Sequence, residues 1–211
     1  MDIKALRNEY KKGKLKDDSV YENPVKQFEK WFEQALSSEI QDANAMSFAT
    51  ATIDGKPSVR TVLLKEFDEN GFVFFTNYGS RKGKEIADNP IGAILFFWKE
   101  LERQVRIEGK IEKTSSGESD AYFDSRTLES RISAFVSPQS QAIPDRKYLE
   151  DRWSGYIKSA DTVGISRPEN WGGYRLLPDR FEFWQGRANR LHDRILYIKS
   201  NGTWNISRLA P

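Results

Sequence analysis

The chain has 211 residues with 33 basic and 31 acidic side chains, a formal net charge of +2, one histidine and no cysteine. The balanced charge disfavours a nucleic-acid-binding protein, and the cysteine and histidine counts exclude disulfides, thiolate nucleophiles and Cys- or multi-His-ligated metal sites within one chain. No apolar run approaches the roughly 20 residues that a membrane helix needs, and the N-terminus lacks the apolar core of a signal peptide, so we expect a cytoplasmic protein that does not bind membranes.

The first residues of the chain are polar and rich in lysine. We predict a mobile N-terminal arm over residues 1–23 and a single domain over residues 24–211. Lys11–Lys16 offers little to bury. Arg7–Tyr10 is the one place in this arm where a cation and an aromatic ring lie close together, and on the residues alone a solvated tail is favoured there.

An amphipathic helix is predicted to follow the arm. Phe28, Trp31 and Phe32 recur at three- and four-residue spacing, and Asn23-Pro24 is a typical helix start.

The hydrophobic period then changes from helical to two. It predicts five strands separated by tight turns: Met46–Ile53, Pro57–Phe67, Phe72–Thr76, Ile91–Trp98 and Gln104–Lys113. Ser80–Asp88 is predicted to be a short basic helix or turn between the third and fourth strands. Five strands in about 70 residues without crossover helices favour a barrel or sandwich over a doubly wound sheet.

The second half of the chain returns to strands after a helical stretch. Residues 115–160 have a helical period that is broken at Ser137-Pro138 and Ile143-Pro144. Four more strands are predicted: Gly173–Leu177, Arg180–Trp184, Ile195–Ser200 and Trp204–Leu209. Because strands flank one helical insertion near residues 115–160, we predict one α+β domain, mainly antiparallel, whose late strands complete the early sheet.

Side chains would have to hold any anionic cofactor, because the chain has neither G-x-G-x-x-G nor a Walker A motif. Arg60 and Lys65 lie on one predicted strand, and Ser80, Arg81 and Lys82 lie at a predicted helix start. Such donors suit a phosphate, each charge-assisted bond contributing about 1.5 to 3 kcal/mol. Two unrelated solvated basic regions are the alternative. Positions 60 and 65 differ by an odd number, so they should face opposite sides of a regular strand and serve different groups, unless a bulge intervenes.

A second candidate set lies in the helical insertion. Tyr122, Arg126 and Ser130 have the spacing i, i+4 and i+8, which places a phenol, a guanidinium and a hydroxyl on one helical stripe. This composition suits a second phosphate, and an exposed helix face is the alternative.

The densest group of functional side chains is Phe183–Arg194, which holds three arginines and the single histidine, His192. The arginines repel one another unless an anion or an electron-rich group lies among them. A solvated turn between two strands is the alternative. Cations near His192 would keep its imidazole neutral near pH 7 and able to hydrogen bond a substrate.

Six motifs in chain order carry a family resemblance: Arg60–Lys65, Thr76–Lys82, Leu101–Gln104, Phe183–Gly186, Arg190–Arg194 and Arg208–Pro211. Through these six motifs taken together, the chain resembles the pyridoxamine 5'-phosphate oxidases. The resemblance implies an FMN-binding split β-barrel homodimer, with each flavin in a cleft between the subunits. It also implies oxidation of pyridoxamine 5'-phosphate and pyridoxine 5'-phosphate to pyridoxal 5'-phosphate, with O2 reduced to H2O2.

The resemblance also implies roles for individual residues. The expected FMN contacts are Arg60, Thr61, Val62, Leu63, Leu64, Lys65, Phe75, Thr76, Arg81, Lys82, Gln104, Gln139, Ser140, Trp184 and Arg194. The expected substrate contacts are Arg7, Asn8, Glu9, Tyr10, Lys65, Tyr122, Arg126, Ser130, Arg190, Leu191 and His192. Within that set, Arg190 and His192 are the expected catalytic residues at the reacting end, and Arg7–Tyr10 match a segment that closes over the substrate.

Two rival functions stay open at this point. Another split-barrel flavoprotein, such as a flavin reductase, would not need the Tyr122 set together with Arg190 and His192. A non-catalytic carrier of flavin or pyridoxal phosphate is the alternative from a different class.

Overall fold

In the computed structural model, which describes residues 3, 9–160 and 165–211, nine antiparallel strands form one continuous sheet. The strands are β1 (Ala45–Ala51), β2 (Pro57–Leu63), β3 (Glu66–Asp68), β4 (Gly71–Asn77), β5 (Ile91–Trp98), β6 (Arg103–Lys113), β7 (Trp171–Gln185), β8 (Asp193–Ser200) and β9 (Thr203–Leu209). Their order is β2-β1-β5-β6-β7-β4-β3, and β8 and β9 extend the sheet from the second half of β7. The predicted α+β class with late strands completing the early sheet is confirmed.

Five helices lie within the described residues: α1 (Pro24–Ser37), α2 (Arg81–Asp88), α3 (Ser116–Asp124), α4 (Leu128–Val136) and α5 (Arg146–Ala160). The Asn23 side chain accepts the Val25 N–H at 2.8 Å, so the predicted Asn-Pro start of α1 is confirmed. Ser80 caps α2 by accepting the Gly83 N–H. Helices α3 to α5 occupy the connection between β6 and β7.

An aromatic core fills the space between α1 and the sheet. Phe28 of α1 is fully buried, and its ring contacts Phe72 of β4 and Phe96 of β5 at centroid distances of 4.9 and 5.0 Å. Edge-to-face pairs of this kind contribute about 0.5 to 1.5 kcal/mol beyond the burial of area. These contacts therefore hold α1 against one face of the sheet and leave the other face available for other contacts.

The predicted strand Pro57–Phe67 is wrong in its length. β2 ends at Leu63, and the chain passes from one neighbour to another: the Leu64 N–H donates to Asn44 O and the Lys65 N–H to Val73 O, both at 2.9 Å. The Leu64 side chain is buried in the core at this crossing. The prediction that Arg60 and Lys65 face opposite sides of one strand therefore does not apply, because Lys65 lies beyond the end of β2.

The two predicted strands Gly173–Leu177 and Arg180–Trp184 are one strand, β7, which continues through Pro178. A register shift between Glu108 and Gly109 of β6 accommodates the proline, which cannot donate to the ladder. Gly109 is required there, because a Cβ would lie 2.0 Å from Leu177 O.

The arm residues that the structure describes lie against the domain. Leu15 is 4% exposed and belongs to the core cluster, so the expectation that this stretch has little to bury is wrong for Leu15. The mobility of the arm stays a prediction, and Arg7 and Asn8 lie outside the described residues.

A search of the described residues found no helix with both the length and the apolar character that a membrane crossing needs. The cellular location of the protein stays a prediction from the sequence.

Candidate functional site

A cavity of about 620 Å3 opens where β2, β4 and the α3–α4 segment meet. Its walls come from parts of the chain that are far apart in sequence: Thr61, Val62, Leu63, Lys65, Phe75, Thr76, Lys82, Tyr122, Ser125, Arg126, Thr127, Ser130, Gln139 and Trp171. Eleven of these fourteen side chains were expected to contact FMN or substrate. The fold thus brings most members of two predicted sets to one place.

Lys82 supplies a buried cation to this cavity. It is 8% exposed, and its Nζ donates to Gln139 Oε1 at 3.0 Å, Thr76 Oγ1 at 3.1 Å and Ser80 Oγ at 3.4 Å. Burial, and secondarily the charge of Arg60, lower the pKa of Lys82 to about 8. All three described partners are neutral oxygens. A bound anion would relieve the desolvation of this ammonium group.

Arg60 and Arg81 have a carboxylate partner already. The Glu85 carboxylate lies 3.2 Å from Arg60 Nη2 and 2.9 Å from Arg81 Nε. Burial raises the pKa of Glu85, but hydrogen bonds from Ser58, Thr50 and Arg81 outweigh it and lower the pKa to about 2. Glu85 is therefore ionised. Its negative charge partly neutralises the positive charges of Arg60 and Arg81, which would otherwise act on a ligand.

The predicted helical stripe of Tyr122, Arg126 and Ser130 is wrong as a single helix. Helix α3 ends at Asp124, and α4 begins after Thr127, whose hydroxyl caps it by accepting the Ser130 N–H at 3.3 Å. Arg126 lies in the link between the two helices. The three side chains nevertheless line the same cavity, together with Lys65.

Arg126 has unused donor capacity in this wall. Its Nη1 is buried without a hydrogen-bond partner among the described residues, and the guanidinium lies over the Trp171 ring at 4.7 Å from the centroid. Burial lowers the pKa of Arg126, and the nearby Tyr122 raises it by less. A buried guanidinium with a free N–H fits a phosphate oxygen.

The remaining expected residues are placed differently around this wall. Gln139 joins Lys82 to Thr76, whereas the neighbouring Ser140 is exposed and has a left-handed φ of 70°. The Phe75 ring stacks on Tyr122 at 3.9 Å between centroids. The Leu64 side chain lies in the core and not in the cavity wall.

A second cluster lies at the other end of β7, around Trp184. The Trp184 and His192 rings are 4.7 Å apart, and Tyr10 of the arm contacts them at 5.6 and 5.5 Å. The Arg187 N–H donates to His192 Nδ1 at 3.1 Å, so in the neutral ring Nε2 carries the proton. Burial, and secondarily the charge of Arg190, lower the pKa of His192, in the direction expected from its neighbours.

The loop before His192 has an unusual backbone. Asn189 and Arg190 have left-handed φ values of 57° and 60°, and both residues are exposed. Leu191 is also exposed, at 68%. In the arm, Glu9 is exposed and pairs with Lys11.

Gln104, Trp184 and Arg194 form one row across three strands. The register pairs Gln104 with Trp184 and Trp184 with Arg194. Arg194 is fixed by Glu182, whose Oε1 accepts its Nε at 2.8 Å, while Glu182 Oε2 lies 2.9 Å from Arg106 Nη2. The hydrogen bond that Arg194 donates to Glu182 raises the pKa of Arg194, so this row presents a permanent cation.

Sequence reasoning missed the carboxylates that organise these arginines. Glu85 and Glu182 are 4% and 3% exposed, and each contacts two guanidinium groups. The i, i+4 spacing of Arg81 and Glu85 was a usable signal. For Glu182 no local signal exists, because its partners come from neighbouring strands.

The cavity and the Trp184 cluster are separated within one chain. Trp171 lines the cavity at the start of β7, and Trp184 stands 13 residues further along the same strand. Extended strand of that length covers roughly 40 Å. Neither Trp184 nor His192 is among the residues that line the cavity.

Two family models match the chain. The model described as pyridoxamine 5'-phosphate oxidase matches residues 32–156, and the model described as pyridoxine 5'-phosphate oxidase C-terminal dimerisation region matches residues 171–211.

Relatives match over almost their whole length. The chain is 54% identical to a pyridoxine/pyridoxamine 5'-phosphate oxidase from Nostoc punctiforme, with 99% of this chain and 98% of the relative covered. It is 51% identical to the protein of the same name from Rubrobacter xylanophilus, with 100% and 97% covered.

Solved structures share the fold. PhzG from Burkholderia lata 383, in complex with tetrahydrophenazine-1-carboxylic acid, superposes with a TM-score of 0.87 at 29% identity, covering 92% of this chain and 95% of that one. A pyridoxamine 5'-phosphate oxidase-related, FMN binding protein from Nostoc punctiforme gives a TM-score of 0.72 at 19% identity, covering 91% and 100%. The expected split β-barrel fold is confirmed.

The ionisation of Glu85 makes a prediction for stability. Its folded pKa of about 2 lies below the ordinary value of 4.5, so its contribution is complete above pH 4.5 and is lost as pH falls toward 2. The difference corresponds to about 3 kcal/mol. We expect Glu85→Gln to lower the free energy of unfolding at pH 7 by about 3 kcal/mol. The difference in unfolding free energy between wild type and this variant should become smaller between pH 4.5 and pH 3.

Urea unfolding at a series of pH values measures this gap. Glu112→Gln, which changes an exposed carboxylate on β6, is the matched control and should shift the unfolding free energy little. A gap between wild type and Glu85→Gln that stays constant from pH 7 to pH 3 would contradict the assignment.

Proposed function

Because this chain belongs to the pyridoxamine 5'-phosphate oxidase family, we propose that it oxidises pyridoxamine 5'-phosphate and pyridoxine 5'-phosphate to pyridoxal 5'-phosphate, with FMN as cofactor and O2 as the electron acceptor. The observation that carries the proposal is the cavity with two separate cations that have no described carboxylate partner, Lys82 and Arg126. Two cations suit two phosphorylated molecules, a nucleotide cofactor and a phosphorylated substrate.

The residues at Lys82 fit the phosphate of FMN. A buried ammonium group with only neutral described partners needs an anion, and Thr76, Ser80 and Gln139 add neutral polar groups beside it. Arg60 and Arg81 lie behind this group and hold Glu85, so they act on a phosphate mainly by orienting the helix start and the strand beside it. FMN supplies, when bound, the two-electron redox chemistry that links oxidation of the substrate at C4' to reduction of O2 to H2O2.

The residues at Arg126 fit the phosphate of the substrate. Arg126 Nη1 is a free donor, and Lys65, Tyr122 and Ser130 provide an ammonium group and two hydroxyls in the same wall. The stacked Phe75 and Tyr122 rings hold this wall rigid. Binding energy at the phosphate orients the rest of the substrate for reaction, which is its main contribution to rate.

The reacting end of the substrate requires a second subunit. Arg190, His192 and Trp184 belong to the far end of β7, roughly 40 Å along the strand from Trp171. Residues 171–211 match the family's dimerisation region, and the protein forms a homodimer on that ground. We therefore place FMN and substrate at the subunit interface, with the phosphates held by one subunit and the rings contacted by Trp184, Arg190, His192 and Arg194 of the other.

The side chains at that end have distinct tasks. His192 is neutral near pH 7 with its Nδ1 occupied, so Nε2–H is available to donate to the substrate. Arg190 adds a cation beside it. Arg194 is held by Glu182 and provides fixed positive charge where negative charge develops on the reduced cofactor.

Aerobic turnover tests the proposal. Purified protein loaded with FMN should convert pyridoxine 5'-phosphate to pyridoxal 5'-phosphate with H2O2 formed in equal amount. Arg126→Ala should raise KM by about tenfold or more, since hydrogen bonds to charged groups contribute about 1.5 to 3 kcal/mol each. Binding of FMN without any turnover would favour a carrier, and turnover of NAD(P)H alone would favour a flavin reductase.

The pKa of Lys82 makes a prediction for cofactor binding. The phosphate of FMN, with a second pKa of about 6, stays doubly charged above pH 7, whereas Lys82 of the free protein loses its proton around pH 8. Anion binding raises the pKa of Lys82, so affinity falls as pH rises past 8. We expect FMN to bind roughly tenfold more weakly at pH 9 than at pH 7.

Quenching of flavin fluorescence gives the affinity at each pH. Lys82→Gln should bind FMN about tenfold or more weakly at pH 7 and lose most of the pH dependence. Lys84→Gln, on the exposed face of the same helix, is the control that should keep it. An unchanged pH profile in Lys82→Gln would assign the dependence to another group.

A further inference from the structure

Glu102 attaches the arm to the barrel through backbone groups. Its Oε2 accepts the N–H of Lys11 at 2.8 Å and the N–H of Lys12 at 2.9 Å. The side chain comes from the turn between β5 and β6, about 90 residues away in sequence, and Glu102 is only 9% exposed. The described partners of this buried carboxylate are therefore backbone amides of the arm.

Glu102 also adopts a backbone conformation that does not favour glutamate. Its φ is 54°, in the left-handed region that non-glycine residues rarely adopt. Its carbonyl oxygen accepts the Gly186 N–H at 2.8 Å. One residue thus connects the arm with the end of β7, next to Trp184.

Two further side chains hold the arm beyond this point. Asp193 Oδ2 accepts the Leu15 N–H at 3.0 Å, and Arg187 Nη1 donates to Gly13 O at 3.3 Å. Gly13 lies so close to the barrel that a Cβ would be 2.7 Å from Gln185 Oε1. The arm is fixed on both sides of Gly13 by contacts to its backbone.

These attachments determine where Tyr10 lies. The Tyr10 ring contacts Trp184 and His192 edge-on, and a Cβ on Gly186 would come within 2.7 Å of Tyr10 Cγ. Tyr10 immediately precedes the two amides that Glu102 holds. Because Tyr10 directly precedes Lys11, whose amide is held by Glu102, its ring has little freedom to move away from Trp184 and His192.

We propose that Glu102 is a positioning residue that holds the arm so that Tyr10 stays over Trp184 and His192. The inference rests on the proposed function for its statement that this pair contacts the substrate. Glu102 touches neither ring itself and acts through the Lys11 and Lys12 amides. Its expected effect is therefore on substrate affinity more than on the rate of the bound complex.

Glu102→Gln in the FMN-loaded protein tests the attachment directly. The amide side chain keeps the size and one acceptor oxygen, but it loses the negative charge that strengthens the hydrogen bonds from both amides. We expect hydrogen exchange at the Lys11 and Lys12 amides to become at least tenfold faster, and KM for pyridoxine 5'-phosphate to rise several-fold with kcat changed less than twofold. Glu100→Gln, an exposed carboxylate in the same turn, should change neither quantity.

A double substitution tests whether Glu102 acts through Tyr10. Glu102→Gln should raise KM in the wild-type background and add nothing in a Tyr10→Ala background, because the two residues act in one chain of contacts. Gly13→Ala displaces the arm from the other side. It should likewise speed hydrogen exchange at the Lys11 and Lys12 amides and raise KM without altering the barrel, so it replaces Glu102→Gln if that variant does not fold.

Two results would overturn the inference: unchanged exchange at Lys11 and Lys12 in Glu102→Gln, or an equal rise in KM with and without Tyr10. Failure of the proposed function is distinguishable, because it would appear as absence of turnover in wild type while the exchange measurement still reports on the attachment.

Discussion

The length of β7 determines how the functional groups of this protein are distributed. The strand runs unbroken from Trp171 to Gln185 because a register shift opposite Gly109 accommodates Pro178. Its first half pairs with β4 and forms a wall of the cavity, while its second half pairs with β8 and carries Trp184. A single chain therefore presents two half-sites, one at each end of β7, and in the proposed site a second subunit brings them together.

Each half-site is kept rigid by a buried carboxylate. Glu85 holds two arginines beside the cavity, and Glu182 holds Arg106 and Arg194 on the outer face of the sheet. Removing a buried charge from such a pair leaves its partner uncompensated, which is strongly destabilising. Lys65, Lys82 and Arg126 line the cavity without a described carboxylate partner, and in the proposed function they bind the two phosphates. In the proposed site a carboxylate partner does not exclude contact with a ligand, since Arg194 contacts the cofactor while Glu182 holds it.

Much of this arrangement was predictable from local sequence patterns. The period of two and the Asn-Pro helix start identified most elements correctly. The strand break at Leu64 was not predictable, because a change of hydrogen-bond partner from β1 to β4 leaves no mark on hydrophobic alternation. The helical stripe failed for a related reason: Thr127 starts a new helix, yet the link still directs Arg126 into the cavity. The spacing and the family resemblance had both grouped Tyr122, Arg126 and Ser130, and the cavity brings the three together without a shared helix.

The most direct test of the two-subunit site is a mixed dimer of Arg126→Ala and Arg190→Ala. Each homodimer lacks one of the two arginines at both sites, so it should turn over little substrate at a concentration well below the wild-type KM. If the groups of one site come from different subunits, a mixed dimer contains one intact site and one that lacks both arginines, so random pairing should restore roughly a quarter of wild-type turnover. A mixture that stays as inactive as the two separate variants, with subunit exchange demonstrated, would show that both arginines serve the same site from one chain.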